Sequence, residues 1–214
     1  MRSSDPTHYL WWLVSRASGI VALVLIAVSV LLGLAMSARL VPARRKRAAA
    51  RLHESVAVIS LAAIALHGAA LMGDTWLNPS LAAITVPFAI GYRPAFVACG
   101  IGGGYLAVLL GPSFYLRRRI GARTWRKLHR SVVVVWVLSV VHTLGAGSDA
   151  SAIWLRAVVM IPAVPIVYAL VARLLGGSRR PHRPPSPRRI GEADPRRQPA
   201  EHTLRPAAEL RSLR

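Results

Sequence analysis

Five long apolar segments limit what this chain can fold into. They lie at residues 10–37, 52–73, 95–116, 128–147 and 152–175. Each can cross a hydrocarbon core of ~30 Å, which takes ~20 helical residues. Backbone groups in lipid must bond to one another, and a helix does this within a single segment. The sequence therefore predicts an all-α membrane protein, a bundle of about five transmembrane helices.

The chain is strongly basic, with a formal net charge of +20, although 54% of its residues are hydrophobic. The cations cluster in loop 38–51, in loop 117–127 and in the tail from Arg173. Arginine-rich loops stay in the cytoplasm, so we expect the N-terminus outside and the C-terminus inside. The charge then serves orientation and contact with anionic membrane lipid, and no nucleic-acid partner is expected.

Two regions lie outside the predicted spans. The segment "LAAITVPFAI", residues 81–90, is too short to span and is expected to lie in the interface or to fold back over the bundle. Residues 176–214 are rich in Pro and Arg and predict a disordered cytoplasmic tail, which leaves residues 1–175 as the membrane domain. The Arg-rich, Ala-rich composition is typical of a GC-rich bacterial genome, which indicates a multi-pass protein of a bacterial plasma membrane.

Four histidines lie in the second and fourth apolar segments. His53 and His67 are fourteen residues apart, and His129 and His142 are thirteen apart. At 1.5 Å per residue these spacings correspond to ~21 Å and ~19.5 Å. Both helices run from inside to outside in the expected topology, so the rings fall at two depths. His53 is at the level of His129, and His67 is at the level of His142.

Two histidines at one depth can give a metal two trans nitrogen ligands. A haem iron, which already has four porphyrin nitrogens, needs only those two, and the apolar macrocycle fits between helices. The single cysteine, Cys99, excludes a cysteine-based metal site and covalent attachment through Cys-x-x-Cys-His. Two levels therefore predict two b-type haems stacked across the bilayer, a path for electrons.

The helical phase of the second pair does not fit this arrangement. Fourteen residues at 100° each leave His67 about 40° from His53, whereas thirteen leave His142 about 140° from His129. An ideal fourth helix would not present both rings alike. Helix crossing, a backbone distortion or different rotamers must absorb the difference, and the sequence does not decide among them.

The chain resembles the ferric reductase-like transmembrane domain, which is shared by ferric reductases, NADPH oxidases and the haem-binding membrane subunit of the bacterial methionine sulfoxide reductase system. The shared motif reads His53-x13-His67 and His129-x12-His142, and "PFAIGYRP", "YLRRRIG" and "WRKLHR" are also similar to bacterial members. The resemblance covers roughly residues 10–175. It implies two b-type haems, with the four histidines as axial ligands, and electron transfer from the cytoplasmic side to the outer side.

The chain departs from the larger family members in one respect. It has no dinucleotide fingerprint after a strand, since "GIGGG" at 100–104 lies inside the third span and indicates close packing or room for a macrocycle. No flavin or NAD(P) site is therefore expected in this chain. Its donor should be a separate flavin reductase or a quinol, and its acceptor an extracytoplasmic ferric ion, oxygen or protein.

Two further residues have open interpretations. Arg16 can snorkel to the outer headgroups, or it can bind a propionate of the outer haem, and we count it among the candidate cofactor-binding residues. Trp136, midway between His129 and His142, can pack in the bundle or lie between the haems, and packing is favoured.

Other classes of membrane protein also use intramembrane histidines. A transporter or proton relay would usually add acidic residues within the spans or broken, paired helices, and this chain has no acid well inside a predicted span. A purely structural membrane subunit would bind no haem. An oxidoreductase component that works with a separate reductase remains the favoured interpretation.

Overall fold

The computed structural model describes residues 9–176, and this part of the chain is mainly helical, without strands. The expected disorder of the tail concerns residues outside the described range. A short 3₁₀ turn at Ala43–Arg45 leads into α2. The α-helices, in chain order, are α1 (Leu10–Ser37), α2 (Lys46–Met72), α3 (Leu81–Thr85), α4 (Pro94–Leu110), α5 (Ser113–Ile120), α6 (Ala122–Arg130), α7 (Val132–Ala146) and α8 (Ile153–Gly176).

The prediction of an all-α membrane bundle is confirmed. Four described segments are long and apolar enough to cross a membrane, and α4 with α5 makes a fifth if that bent pair is counted as one span. The four segments are Leu10–Ser37, Ala43–Met72, Ala122–Ala146 and Ile153–Ala172.

The third predicted span differs from a straight helix. Helix α4 ends at Leu110, and α5 continues at an angle of 56° to it. Gly111 and Pro112 lie at the bend, and proline cannot continue the helical hydrogen-bond ladder because it has no N–H. The bend turns α5, with its arginines, away from the direction of α4.

The buried core lies between α1, α7 and α8. Ile26 and Val30 of α1 contact a cluster that includes Val135 and Trp136 of α7 and Ile166 of α8. Ile166 is fully buried and Val135 is 2% exposed, so both are among the largest fully buried side chains of the described residues. Trp136 thus packs in the core, as the favoured interpretation of the sequence has it.

Helix α2, which carries His53 and His67, hardly touches α6 and α7, which carry His129 and His142. Helix α2 packs along α1, and α7 packs along α4, but direct backbone contact between α2 and α7 is nearly absent. The bundle therefore consists of two helix pairs with a gap between the histidine-bearing helices.

The segment at 81–90 covers one end of this gap. Its first half forms α3, whose N-cap Ser80 accepts a hydrogen bond from the backbone N–H of Ala83. The hydroxyl of Tyr105 on α4 donates to the carbonyl of Thr85 at 2.5 Å. The segment is too short to span, as expected, and it folds back against the bundle.

Candidate paired-histidine site

The structure brings the four histidines together as two pairs across the gap. The rings of His53 and His129 are 6.0 Å apart, centre to centre, and those of His67 and His142 are 6.2 Å apart. We call the first the inner pair, because it lies near the arginine-rich loops, and the second the outer pair. Within each pair the rings are steeply inclined, at 87° and 75°.

These separations suit one metal ion held between two imidazoles. A metal–imidazole bond of about 2.0–2.1 Å on each side, plus about 1.1 Å from each nitrogen to its ring centre, gives about 6.2–6.4 Å. Among the described residues no group of three or more His, Cys, Asp or Glu is placed to hold a metal ion. Two protein nitrogens per level fit a macrocycle that brings four nitrogens of its own.

A break in the helix explains how His129 and His142 come to face the same way. Helix α6 ends at Arg130 and α7 begins at Val132, with Ser131 between them in a turn. Bonds of the i→i+3 type span the break, from Ser131 N to Leu128 O and from Val134 N to Ser131 O, both 2.9 Å long. Such bonds turn the chain by about 120° per residue instead of about 100°. The extra rotation reduces the angle of about 140° that would separate His142 from His129 on an ideal helix.

The outer histidines are oriented through their Nδ1 atoms. Nδ1 of His67 donates to the carbonyl of Ser15 at 2.7 Å, and Nδ1 of His142 donates to the carbonyl of Phe96 at 2.9 Å. A carbonyl can only accept, so each ring carries its proton on Nδ1. The Nε2 lone pair is then left free for a metal. Metal-ligating histidines typically have this arrangement, in which the other ring nitrogen donates to a carbonyl or carboxylate.

Helix α1 supports both histidines of α2 with a repeated pair of residues. Nδ1 of His53 lies 3.2 Å from the hydroxyl of Ser29, and the hydroxyl of Ser15 lies 3.2 Å from Nδ1 of His67. Ser15 and Ser29 are fourteen residues apart, as are His53 and His67, so each serine lies at the level of one histidine. The later serine meets the earlier histidine because α1 and α2 run antiparallel. Sequence reasoning missed these serines, and their equal spacing is the signal that could have found them.

Two glycines leave room for the outer rings. A Cβ at Gly19 would lie 2.9 Å from Nδ1 of His67, and a Cβ at Gly100 would lie 2.6 Å from Nδ1 of His142. Real Cβ contacts are essentially never this short, so the ring would have to move. The "GIGGG" stretch thus gives close packing at its first glycine, where α4 meets the ring of His142.

The outer pair opens onto a cavity of about 680 Å³. Its lining is mainly apolar and includes Ile20, Gly68 and Gly104 together with His67 and His142. Cofactor sites typically have volumes of ~300–1,000 Å³ with a few polar groups among apolar ones. The residues present at the outer level therefore fit a haem in size, in chemistry and in ligand geometry.

Arg16 lines the same cavity and pairs with a residue that sequence reasoning missed. Its guanidinium forms an ion pair with Asp149, in the loop before α8, and lies 5.0 Å from the ring centre of Trp12. About a third of the Arg16 side chain is exposed. The structure places Arg16 beside the outer pair with its charge compensated, and a contact with a propionate stays a prediction.

An indole ring covers the inner pair. Trp125 stacks on His129, with ring centres 5.1 Å apart and planes inclined by 22°. The indole also meets the edge of Phe114 on α5. Among the described residues, Trp125 Nε1 and His129 Nδ1 are buried without a hydrogen-bond partner of good geometry, although the Leu110 carbonyl is close to the latter. Trp125 was also missed, and its position four residues before His129, on the same helix face, is the signal.

The chain matches the family described as "Ferric reductase like transmembrane component" over residues 18–140. The matched range includes His53, His67 and His129 and ends two residues before His142. No solved structure matches the chain. The family match covers more than half of the sequence, so this multi-pass membrane protein belongs to the ferric reductase-like transmembrane family of membrane oxidoreductase components.

Proposed function

We propose that the protein is a transmembrane electron carrier with two b-type haems, one at each histidine pair. The observation that carries this proposal is the pair of ring separations, 6.0 Å and 6.2 Å, at two levels of one bundle. Family membership supports it, because members of this family generally bind haem.

The chain's own residues would hold and shield the two groups. His53 with His129, and His67 with His142, would each supply two nitrogens to one haem, and the Nδ1 contacts of His67 and His142 hold those two rings with Nε2 available. When bound, each haem supplies a centre that gains and loses a single electron. The mainly apolar lining of the outer cavity would shield a group bound there from water.

The distribution of charge supports a direction. The inner pair lies next to the arginine-rich loops 38–51 and 117–127, which the positive-inside rule assigns to the cytoplasm. We propose that electrons arrive there from a separate flavin reductase or from a quinol and leave at the outer pair. The acceptor would be a ferric ion, oxygen or a protein outside a bacterial plasma membrane.

Haem content is the direct test. Protein expressed with adequate haem supply should give a reduced-minus-oxidised cytochrome b spectrum, and a pyridine haemochrome assay should give two non-covalent haems per chain. One haem per chain would restrict the proposal to a single level, and no haem would overturn it.

A further inference from the structure

The stretch Gly91-Tyr92-Arg93-Pro94 leads into α4 and contacts the carboxyl end of α7. The hydroxyl of Tyr92 donates to the carbonyl of Ala146 at 3.2 Å, and the guanidinium of Arg93 donates to the carbonyl of Gly145 at 2.5 Å. The last carbonyls of a helix have no partner within the helix, and a cation there is favourable. Both side chains therefore bind the last turn of α7 from outside.

The backbone of Arg93 is in an unusual conformation. Its φ of 42° and ψ of 55° lie in the left-handed region, which disfavours residues other than glycine. Glycine would adopt this conformation without strain, but it has no side chain to reach Gly145. Pro94, at the first position of α4, fixes the direction in which the chain continues.

The first turn of α4 connects this contact to a histidine. The carbonyl of Phe96 accepts the Nδ1 hydrogen bond of His142, and the ring of Phe96 lies directly against Gly145. The start of α4 thus holds both the ring of His142 and the turn of α7 that follows it.

Tyr92 also reaches toward the helix that carries His67. Its ring lies edge-to-face with Trp76, 6.1 Å between centres, and Trp76 follows the end of α2. Because α2 and α7 make almost no direct backbone contact, Tyr92 is a link between their outer ends.

We propose that Tyr92 and Arg93 are positioning residues of the outer pair. They hold the carboxyl-terminal turn of α7, and with it the ring of His142, at a fixed distance from His67. The proposal rests on the proposed function only in that a haem at the outer pair would make this distance important.

The first measurement uses haem-free protein. Hydrogen exchange is followed at the amides of residues 143–147 in Arg93→Gly and Tyr92→Phe. Tyr105→Phe is the control, since it removes a hydroxyl that bonds to the Thr85 carbonyl and not to α7. We expect exchange at least about five-fold faster in Arg93→Gly, a smaller increase in Tyr92→Phe and no change in the control. Unchanged exchange in Arg93→Gly would show that Arg93 does not hold the last turn of α7. An equal increase in the control would overturn the proposal as well.

The second measurement uses haem-loaded protein. We expect Arg93→Gly to shift the low-spin electron paramagnetic resonance signal and the midpoint potential of the outer haem while leaving those of the inner haem in place. Arg93→Lys should give a smaller shift than Arg93→Gly, because an ammonium can still bind the Gly145 carbonyl. Equal shifts at both haems would overturn the positioning role. If the wild-type protein takes up no haem, the proposed function is wrong. The exchange rates still test whether Tyr92 and Arg93 hold the last turn of α7.

Discussion

Gly100 lies against the ring of His142 so closely that a Cβ at this position would come within 2.6 Å of Nδ1. Gly102, two residues further on α4, has no such neighbour, and a Cβ there would meet nothing within 4 Å. The two glycines therefore form a matched pair on one helix.

Gly100→Ala is expected to weaken haem binding at the outer pair, because the ring must move or α4 must shift. Overpacking of this kind costs about 1–3 kcal/mol, which is roughly 5- to 150-fold in affinity. Transfer of haem to apomyoglobin, followed by absorbance, measures the loss. Gly102→Ala should release haem at the wild-type rate, and equal loss from both variants would contradict the close contact.

The ring pairs predict which haem each histidine variant removes. His53→Ala and His129→Ala should abolish the same transition in a redox titration, and His67→Ala and His142→Ala should abolish the other. The reason is that the two rings of a pair would ligate the same iron, so the loss of either ring removes the bis-histidine state of that haem and weakens its binding. A shared loss in His53→Ala and His142→Ala would show that the pairing is wrong.

The ion pair of Arg16 with Asp149 predicts opposite effects of two substitutions. Asp149→Asn leaves the cation of Arg16 uncompensated at the outer cavity, which favours the reduced iron and raises the midpoint potential of the outer haem. Arg16→Gln leaves the carboxylate of Asp149 uncompensated and lowers the midpoint potential of the outer haem. Shifts of about 20–60 mV are expected, since about 59 mV corresponds to a tenfold change for one electron. Potentiometric titration gives the values, and the double variant should return close to wild type.

We expect the protein to need a partner as its source of electrons, because its sequence shows no dinucleotide fingerprint after a strand. NADPH added alone to the purified protein should leave its haems oxidised, whereas NADPH with a flavin reductase, or a quinol analogue, should reduce them. Absorbance in the α-band region follows the reduction, with dithionite to define the fully reduced state. Direct reduction by NADPH without another protein would show that the chain has a donor site of its own.

Run length and spacing were enough to predict the bundle and the two histidine depths, because a spanning helix needs a long apolar run and rises by a constant amount per residue. The bend at Pro112 and the break at Ser131 were not predicted. Helix patterns average over such single-residue interruptions, and a serine is common inside helices.

The partners of the site depended on tertiary contacts. Asp149 is distant in sequence from Arg16, and nothing local to either residue marks the pair. Ser15 and Ser29 left a trace in the sequence, since they repeat the fourteen-residue spacing of α2 on α1. A comparison of spacings between neighbouring segments would have found them, whereas a search within each segment could not.

The gap between α2 and α7 has a consequence for how the protein matures. Helices in lipid associate through close packing and polar contacts. Here the two packed pairs are α1 with α2 and α4 with α7, and they meet largely through α1 and through the two pairs of histidine rings. A ligand that binds only the assembled bundle stabilises it by mass action. Under the proposed function, haem supplied during membrane insertion would be such a ligand, and the number of chains that complete assembly would follow the haem status of the cell.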